Sequence, residues 1–293
     1  MGGVGWLGGG DRSRWRLAAL NIVEGVGSSE RETIAKDGTM ILADYSRRSA
    51  PAADAWTIDW GAHFYALVIQ ETLPLGGTMD FWFGPDVSLR KGDFAVRLFA
   101  IVNTGDLGTG TLSANGTVVS GFTDGDVRSH TGTAFRVEAE KPIGGVNVKA
   151  QLVYTTGDSD GEVDNRFATP MGLFGTSGYW GYTHIFTANG PSDVNDFGVD
   201  IGNRGAGLTT AQLMGGFRLH PRLNLDLATG WFRADEARNA GRDMGYEFAG
   251  NLRVHLAGPL NLDAGAAIAN LGRFFGDDPR TTYEVFSRLQ LQY

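Results

Sequence analysis

The sequence predicts an all-β protein, an antiparallel up-and-down transmembrane β-barrel of about 12 strands that forms one domain over residues 1–293. Three observations support this fold class. Segments of alternating apolar and polar residues recur along the chain, and a period of two indicates strands with two unlike faces. Short turns join these segments in pairs. The connections between pairs are longer and polar, which is typical of membrane barrels with short periplasmic turns and long extracellular loops.

The C-terminal strands show the alternation most clearly. The last segment, TTYEVFSRLQLQY (281–293), is mostly apolar on one face and mostly polar on the other. It is long enough to cross a membrane as a tilted strand, which takes about 9–11 residues. Two earlier pairs repeat the design, 211–219 with 223–232 and 244–256 with 260–271.

The first half of the chain supplies the remaining strands. They are 14–23, 39–46, 56–70, 78–90, 94–103 and a pair within 133–154. Pro85 lies inside one of these strands and has no N–H to donate, so we expect a bulge or irregularity there. The segment 110–121 contains an Asn-Gly turn and predicts an extra hairpin. That hairpin either rises above the membrane or raises the strand count to 14.

Composition excludes several classes of protein. The chain has no cysteine, which excludes a disulfide scaffold and a thiolate metal site. A formal charge of −8 argues against a nucleic-acid partner, because nucleic-acid binders carry a basic patch. No apolar run is long enough for a transmembrane helix. The first residues, MGGVGWLGGGDRSRWR, lack the pattern of a signal peptide, so an exported protein would be present here in a mature or truncated form.

A soluble β-sandwich or lipocalin-like barrel is the alternative fold, with the apolar residues facing inward. The segment LNLDAGAAIAN (260–270) is richer in Ala and Gly than a soluble core would be. In a bilayer no water satisfies the backbone, so strands must close on themselves. We therefore expect the apolar residues to face lipid and the polar residues to line a lumen.

The last strand resembles the assembly signal of Gram-negative outer-membrane proteins. Leu289, Leu291 and Tyr293 match its alternating apolar residues and final aromatic, which is usually phenylalanine. The resemblance implies the bacterial outer membrane, with the lipid bilayer, lipopolysaccharide and the barrel-assembly machinery as partners. Residues 167–232 are also similar to the C-terminal region of alginate-export-like outer-membrane barrels, in which a loop of Phe, Pro and Gly-aromatic residues precedes a long strand pair. That similarity covers less than a quarter of the chain, and it implies porin-like or polysaccharide transport.

A charged lumen would decide which solutes pass, because Arg and Lys attract anions while Asp and Glu attract cations. The predicted pore-lining residues are Arg97, Arg136, Glu138, Glu140, Lys149, Arg218, Asp226, Glu247, Arg253, Asp263, Glu284 and Arg288. Two hypotheses remain open. The residues either orient small hydrophilic or sugar-like solutes, or neighbours such as Arg253 and Glu284 pair across strands only to satisfy buried charge.

The long segment 156–206 is predicted to be an extracellular or inward-folded loop, and its part 186–205 favours an inward fold. Its acidic residues Asp158, Asp160, Glu162 and Asp164 alternate, so they offer the oxygen ligands that Ca²⁺ prefers. The spacing departs from the EF-hand loop, with glycine at the fourth position and no glutamate at the twelfth. Solvated acidic loops are the more common case, so no cofactor is required.

Two other functions would fit a membrane barrel. His184 beside Asp193 or Asp196 would form the catalytic pair of a barrel enzyme, although the chain has neither a Gly-x-Ser-x-Gly elbow nor a His-Glu-x-x-His pair. A closed barrel would use loops 156–206 and 233–243 for adhesion or envelope contact. The sequence favours a passive channel that is not an enzyme.

Overall fold

The computed structural model describes residues 2–24, 37–49, 55–69, 78–108, 127–158, 165–168, 180–187, 197–238, 241–258 and 260–291. They form a single sheet of 13 strands, in which each strand pairs antiparallel with the next in sequence. The strands are β1 Gly2–Gly10, β2 Ser13–Glu24, β3 Asp37–Arg48, β4 Thr57–Ile69, β5 Thr78–Lys91, β6 Phe94–Gly108, β7 Val127–Ile143, β8 Val146–Thr155, β9 Leu208–His220, β10 Leu223–Arg238, β11 Gly241–Ala257, β12 Leu260–Leu271 and β13 Arg280–Leu291. The described residues contain no helix with the length and apolar character needed to span a bilayer.

The predicted all-β, up-and-down order is confirmed, and the described residues form 13 strands where about 12, or 14 with the extra hairpin, were predicted. All twelve predicted strands are present, and the thirteenth is β1, which precedes them. Its sequence, GGVGWLGGG, is mostly glycine, so only Val4 and Trp6 supply the alternation that indicates a strand. The predicted hairpin at 110–121 lies outside the described residues.

The two ends of the sheet have different connections. At one end, named the turn end here, five of the six connections between consecutive strands are two residues long: 11–12, 92–93, 144–145, 221–222 and 258–259. The sixth connection, 49–56, is longer. The opposite end, named the loop end, carries the connections 25–36, 70–77, 109–126, 156–207 and 272–279. The predicted asymmetry is therefore present in the chain path, with one exception at the loop end.

That exception is the hairpin of β10 and β11, where the prediction of a loop at 233–243 is wrong. Both strands continue to a connection of only residues 239–240, with register shifts after Phe232. Ala234 and Met244 are buried in an apolar core, which holds the hairpin although most of its charged residues lie around them. Gly245, with φ of 113°, takes a backbone conformation that favours glycine.

Pro85 produces the expected irregularity. β5 pairs with β4 without interruption across this position, including Pro85 opposite Ala62. On its other side, the ladder with β6 omits Gly84 and Pro85, although the register is the same on both sides of the gap. The missing N–H of proline explains why the ladder is interrupted only there.

The two faces of the sheet have opposite chemistry. One face, named the apolar face here, exposes large apolar side chains: 82% of Val285, 54% of Phe248 and 47% of Leu227 are accessible. Its other exposed members include Val4, Trp6, Trp15, Leu17, Ile41, Tyr45, Trp60, Phe64, Phe83, Phe135, Leu152, Leu213, Trp231, Ile268 and Leu289. A soluble sandwich would bury these residues between its sheets. In this sheet they point away from most of the buried residues, which occupy the alternate strand positions.

The strands are staggered across the sheet. Opposite residues in successive strand pairs lead from Gly10, at the turn end of β1, to Thr281, at the loop end of β13. The path runs through Gly10, Ser13, Arg47, Trp60, Val87, Leu98, Val137, Leu152, Ala211, Trp231, Tyr246, Asn270 and Thr281. Across the thirteen strands, the paired positions therefore shift from the turn end to the loop end, by almost the length of one strand. Such a shift means that the strands are tilted within the sheet.

Candidate functional site

The face opposite the apolar face, named the charged face here, carries every one of the predicted pore-lining residues, because they occupy alternate strand positions to the exposed apolar residues. They are Arg97, Arg136, Glu138, Glu140, Lys149, Arg218, Asp226, Glu247, Arg253, Asp263, Glu284 and Arg288. The structure brings eight of them into ion pairs. Whether they line a pore remains a prediction.

Glu138 on β7 is the centre of one group. Its carboxylate accepts hydrogen bonds from Nη1 of Arg97 at 2.9 Å and from Nη2 of Arg136 at 2.7 Å. Next along the strand, Glu140 pairs with Lys149 of β8 at 3.6 Å. The register sets Arg97 opposite Glu138 and Lys149 opposite Glu140, whereas Arg136 lies on the same face of β7 two residues before Glu138.

Asp263 on β12 is the centre of a second group. It is buried and accepts hydrogen bonds from Nε of Arg253 at 2.7 Å and from Nη2 of Arg288 at 3.3 Å. The register sets Asp263 opposite both arginines. The predicted pair of Arg253 and Glu284 is therefore wrong, because Glu284 lies opposite Ala267, closer to the loop end.

A third group, on β2 to β5, was missed by the sequence analysis. His63 lies between two carboxylates, with Nδ1 2.7 Å from Oδ1 of Asp44 and Nε2 2.5 Å from Oδ1 of Asp86. Asp44 also accepts hydrogen bonds from the Tyr65 hydroxyl at 2.7 Å and from Arg16 Nε at 2.6 Å. Extending the alternation into β2–β5 would have put these residues on one face.

Parts of the long connection after β8 pack on the charged face. These docked segments are residues 165–168, 180–187 and 197–207. In the first, the indole of Trp82 donates to the Ala168 carbonyl at 2.7 Å, and the Ala168 amide donates to Asn103 at 2.9 Å. His130 Nδ1 lies 2.8 Å from the Arg166 carbonyl oxygen. This segment is thus attached to β5, β6 and β7.

Glu247 of β11 attaches the second docked segment. Its side chain is fully buried, and its carboxylate accepts three backbone hydrogen bonds, from His184 at 2.6 Å, Ile185 at 2.8 Å and Phe186 at 2.9 Å. Consecutive amides that point at one anion form a concave site that stabilises negative charge. A residue predicted to line a pore therefore holds a turn of the chain instead of facing open solvent.

Tyr182 gives the second docked segment two further contacts. Its amide donates to Oε1 of Gln212 on β9 at 2.7 Å, and its hydroxyl donates to Oε2 of Glu138 on β7 at 2.9 Å. Burial, and then the nearby carboxylate of Glu138, raises the pKa of this tyrosine well above its usual range. The hydroxyl therefore stays protonated as a donor at physiological pH.

The third docked segment joins the second to the strands. Val199 makes two hydrogen bonds to the second docked segment. Its amide donates to the Phe186 carbonyl at 3.0 Å, and its carbonyl accepts from the Trp180 indole at 2.8 Å. Thr155 donates to the Ile201 carbonyl at 2.7 Å, and the Glu236 amide of β10 donates to the Ala206 carbonyl at 2.9 Å. The extended β10–β11 hairpin thus supports this segment.

An apolar core lies between the docked segments and the loop end of β9–β12. Phe186 is its centre, with ring centroids 4.6 Å from Phe232 and 5.8 Å from Phe275. The other buried members are Ile185, Val199, Ala206, Leu208, Ala234, Met244, Ala249, Ala267, Ala269, Leu271 and Phe274. The charged face is therefore covered by apolar packing at its loop end, whereas its ionic groups at Arg253, Asp263 and Arg288 lie toward the turn end.

The remaining predicted site residues fall partly outside the described residues. These are Asp160, Glu162 and Asp164 of the calcium hypothesis, Asp193 and Asp196 of the enzyme hypothesis, and the terminal Tyr293. The Asp158 amide donates to the Gly205 carbonyl at 2.9 Å. Within the described ranges no group of three or more His, Asp or Glu residues is arranged to hold a metal ion. Leu289 and Leu291 are exposed on the apolar face.

Replacing Glu247 by glutamine should loosen residues 184–186. An amide has one acceptor oxygen where the carboxylate has two, and it lacks the charge that strengthens the three backbone bonds. We expect a loss of about 1.5–3 kcal/mol of local stability, the usual range for a hydrogen bond to a charged group. Hydrogen exchange of the 184–186 amides measures it. Glu284→Gln, on the same face, is the control, and equal protection in both variants would contradict the anchoring role.

Acidification should also loosen residues 180–187. Burial lowers the pKa of His184 from 6.5 to about 4, so this segment binds fewer protons when docked than when released. Docking is therefore fully stable above about pH 6.5 and weakens as the pH falls toward about 4, by at most about 3 kcal/mol. Hydrogen exchange, corrected for its intrinsic pH dependence, measures the effect. His184→Leu should remove most of it, and an unchanged profile in that variant would refute the assignment to His184.

These contacts, within one chain, define the candidate site as three ionic groups and a set of docked segments on one face of the sheet. No family model matches the chain, and no curated protein is similar to it.

Proposed function

We propose that the chain is a transmembrane β-barrel of the bacterial outer membrane that passes small hydrophilic or sugar-like solutes passively through a charged lumen. The observation that carries this proposal is the exposure of the apolar face. Soluble monomers rarely expose contiguous apolar patches of more than roughly a few hundred Å². Here most of the strands contribute large exposed apolar residues to one face. Hydrocarbon is the environment that makes such a face favourable.

The aromatic residues of the apolar face fit the boundary of a bilayer. Tyr45 and Trp60 lie toward the turn end with ring centroids 5.4 Å apart, while Tyr246 and Phe248 lie toward the loop end with centroids 6.1 Å apart. Membrane barrels carry aromatic girdles at both interfaces, because these rings favour the level of the headgroups. The arrangement supports an orientation with the strands crossing the membrane.

The stagger of the sheet supports closure into a barrel. Closed barrels need tilted strands and a register that shifts around the sheet, and the path from Gly10 to Thr281 shows such a shift. Lipid does not tolerate an open sheet edge. In the proposed barrel neither β1 nor β13 therefore remains an open edge in lipid.

The charged face would form the wall of the lumen. Its groups at Glu138 and Asp263 each combine one carboxylate with two arginines, and about half of the side chains of Arg97 and Arg253 is accessible. Because carboxylates and arginines lie side by side on this wall, the lumen would favour polar solutes over ions of one sign. The docked segments would narrow the lumen at the loop end. A concentration gradient drives such passage, so neither a cofactor nor a catalytic residue is needed.

The partners follow from the same proposal. The apolar face would contact the bilayer and lipopolysaccharide, and the last strand, with Leu289, Leu291 and Tyr293, would be bound by the barrel-assembly machinery. These residues resemble the assembly signal described above. Leu289 and Leu291 are both exposed on β13, which fits that role.

Conductance across a planar bilayer tests the channel. The refolded protein should give discrete current steps, and its gel mobility should shift on heating, because a closed barrel resists detergent until it is boiled. Protein that has been boiled before addition is the control. If heating shifts the gel mobility but no current is seen, the channel is refuted, and a closed barrel that serves adhesion or a barrel enzyme becomes the better explanation. A protein with identical mobility before and after boiling would refute the barrel.

Leu227→Arg tests the direction of the apolar face. Leu227 lies midway along the stretch of β10 from Leu223 to Trp231 that contributes to the apolar face, and an arginine facing lipid near mid-membrane should cost about 2–4 kcal/mol of folding stability. Asn251→Arg is the matched control, because Asn251 lies on the charged face of the next strand, opposite Asp226. Refolding into lipid vesicles at increasing urea measures both. Equal stability of the two variants would contradict the proposed orientation.

A further inference from the structure

A buried amide on the charged face has none of the partners that it requires. Gln151 of β8 is 5% exposed, and neither its amide nitrogen nor its amide oxygen has a hydrogen-bond partner among the described residues. Buried polar side chains in proteins are normally hydrogen-bonded, so each exception needs a physical explanation. The ion pairs of the charged face do not include this residue.

Gln151 is the middle member of a row across three strands. The register sets it directly opposite Glu138 of β7 and directly opposite Gln212 of β9. Directly opposite residues of antiparallel strands have Cβ atoms about 4.5–5.5 Å apart. The three side chains, named the polar row here, therefore form a continuous strip of carboxylate and amide groups.

Tyr182 binds both ends of the polar row. Its amide binds Gln212 at one end of the polar row and its hydroxyl binds Glu138 at the other end. Tyr182 thus crosses β8 at the position of Gln151. Between these two hydrogen bonds the tyrosine side chain has no polar atom, so it has neither a donor nor an acceptor to give to Gln151. The docked tyrosine satisfies both ends of the row and leaves the middle unsatisfied.

We propose that the polar row is a binding subsite for a neutral polyhydroxyl solute, and that Tyr182 occupies this subsite when the solute is absent. This inference rests on the proposed function and names its solute class. A hydroxyl group both donates and accepts, so neighbouring hydroxyls match the donor and the acceptor of the Gln151 amide. The contacts of Tyr182, a hydroxyl on Glu138 and an N–H on Gln212, are the ones that a bound solute replaces.

The charges around the polar row favour a neutral solute. Glu138 supplies a negative charge, but Arg97 and Arg136 both contact it. The two glutamines are uncharged. A strongly anionic solute would meet Glu138 itself, and a cation would meet the two arginines. A sugar fits because it pairs with amides and carboxylates without bringing a charge of its own.

The test is the binding of maltotriose to the detergent-refolded protein by titration calorimetry, with three variants. Gln151→Leu should weaken binding at least about tenfold, since the loss of several hydrogen bonds is involved. It should keep or raise the unfolding temperature, because it removes an unpaired polar group. Tyr182→Phe should strengthen binding about three- to tenfold, because the competing hydroxyl is gone. Gln290→Leu, the same change elsewhere on the charged face, should leave binding unaltered.

Several results would overturn the subsite. Absence of maltotriose binding by the unaltered protein would leave water as the occupant of the polar row. Equal binding by a folded Gln151→Leu variant would remove Gln151 from the site. Tighter binding of trigalacturonate than of maltotriose would refute the neutral solute class. Bilayer conductance of the same samples separates this inference from the channel: current without maltotriose binding overturns only the subsite, and binding without current supports the subsite while the channel fails.

Discussion

Alternate side chains of a β-strand point to opposite faces, and this period of two organises everything else in the molecule. Because the period holds through thirteen strands, large apolar side chains collect on one face and ionic groups on the other. A shift of one residue in any strand pair would move a whole strand's charges onto the apolar face. The ionic groups at Glu138, Asp263 and His63 are possible only because neighbouring strands keep the same alternation and place donors opposite acceptors.

The docked segments use the same face in a different manner. Toward the loop end, the charged face becomes apolar at Phe232, Ala234 and Met244, and Phe186 packs there. The buried carboxylate of Glu247 holds the chain beside this core through three backbone amides. Apolar packing supplies the nonspecific attraction, whereas the carboxylate fixes which turn of the chain is held. The combination explains how an otherwise irregular connection acquires one position on the sheet.

The strands could be predicted from the sequence where alternation is strong. β13 and β12 follow from their pattern alone, while β1 was missed because glycine hides its alternation. The hairpin at 233–243 was mistaken for a loop, since its polar composition conceals Ala234 and Met244, whose burial depends on the docked segments. The members of the ionic groups could be assigned to a face, but not to partners: Arg253 pairs with Asp263 because of register, which sequence does not specify. The contacts of Glu247 with residues 184–186 join positions distant in sequence, so no local pattern could have revealed them.

The connection between β8 and β9 is fixed at two separate places on the sheet. Residues 165–168 are bound to β5, β6 and β7, and Glu247 binds residues 184–186 on β11. These two attachments lie on strands that the sheet links only through several intervening ladders. One connection can therefore make both sets of contacts only after the seven strands from β5 to β11 have paired, so its docking depends on the assembly of more than half of the sheet.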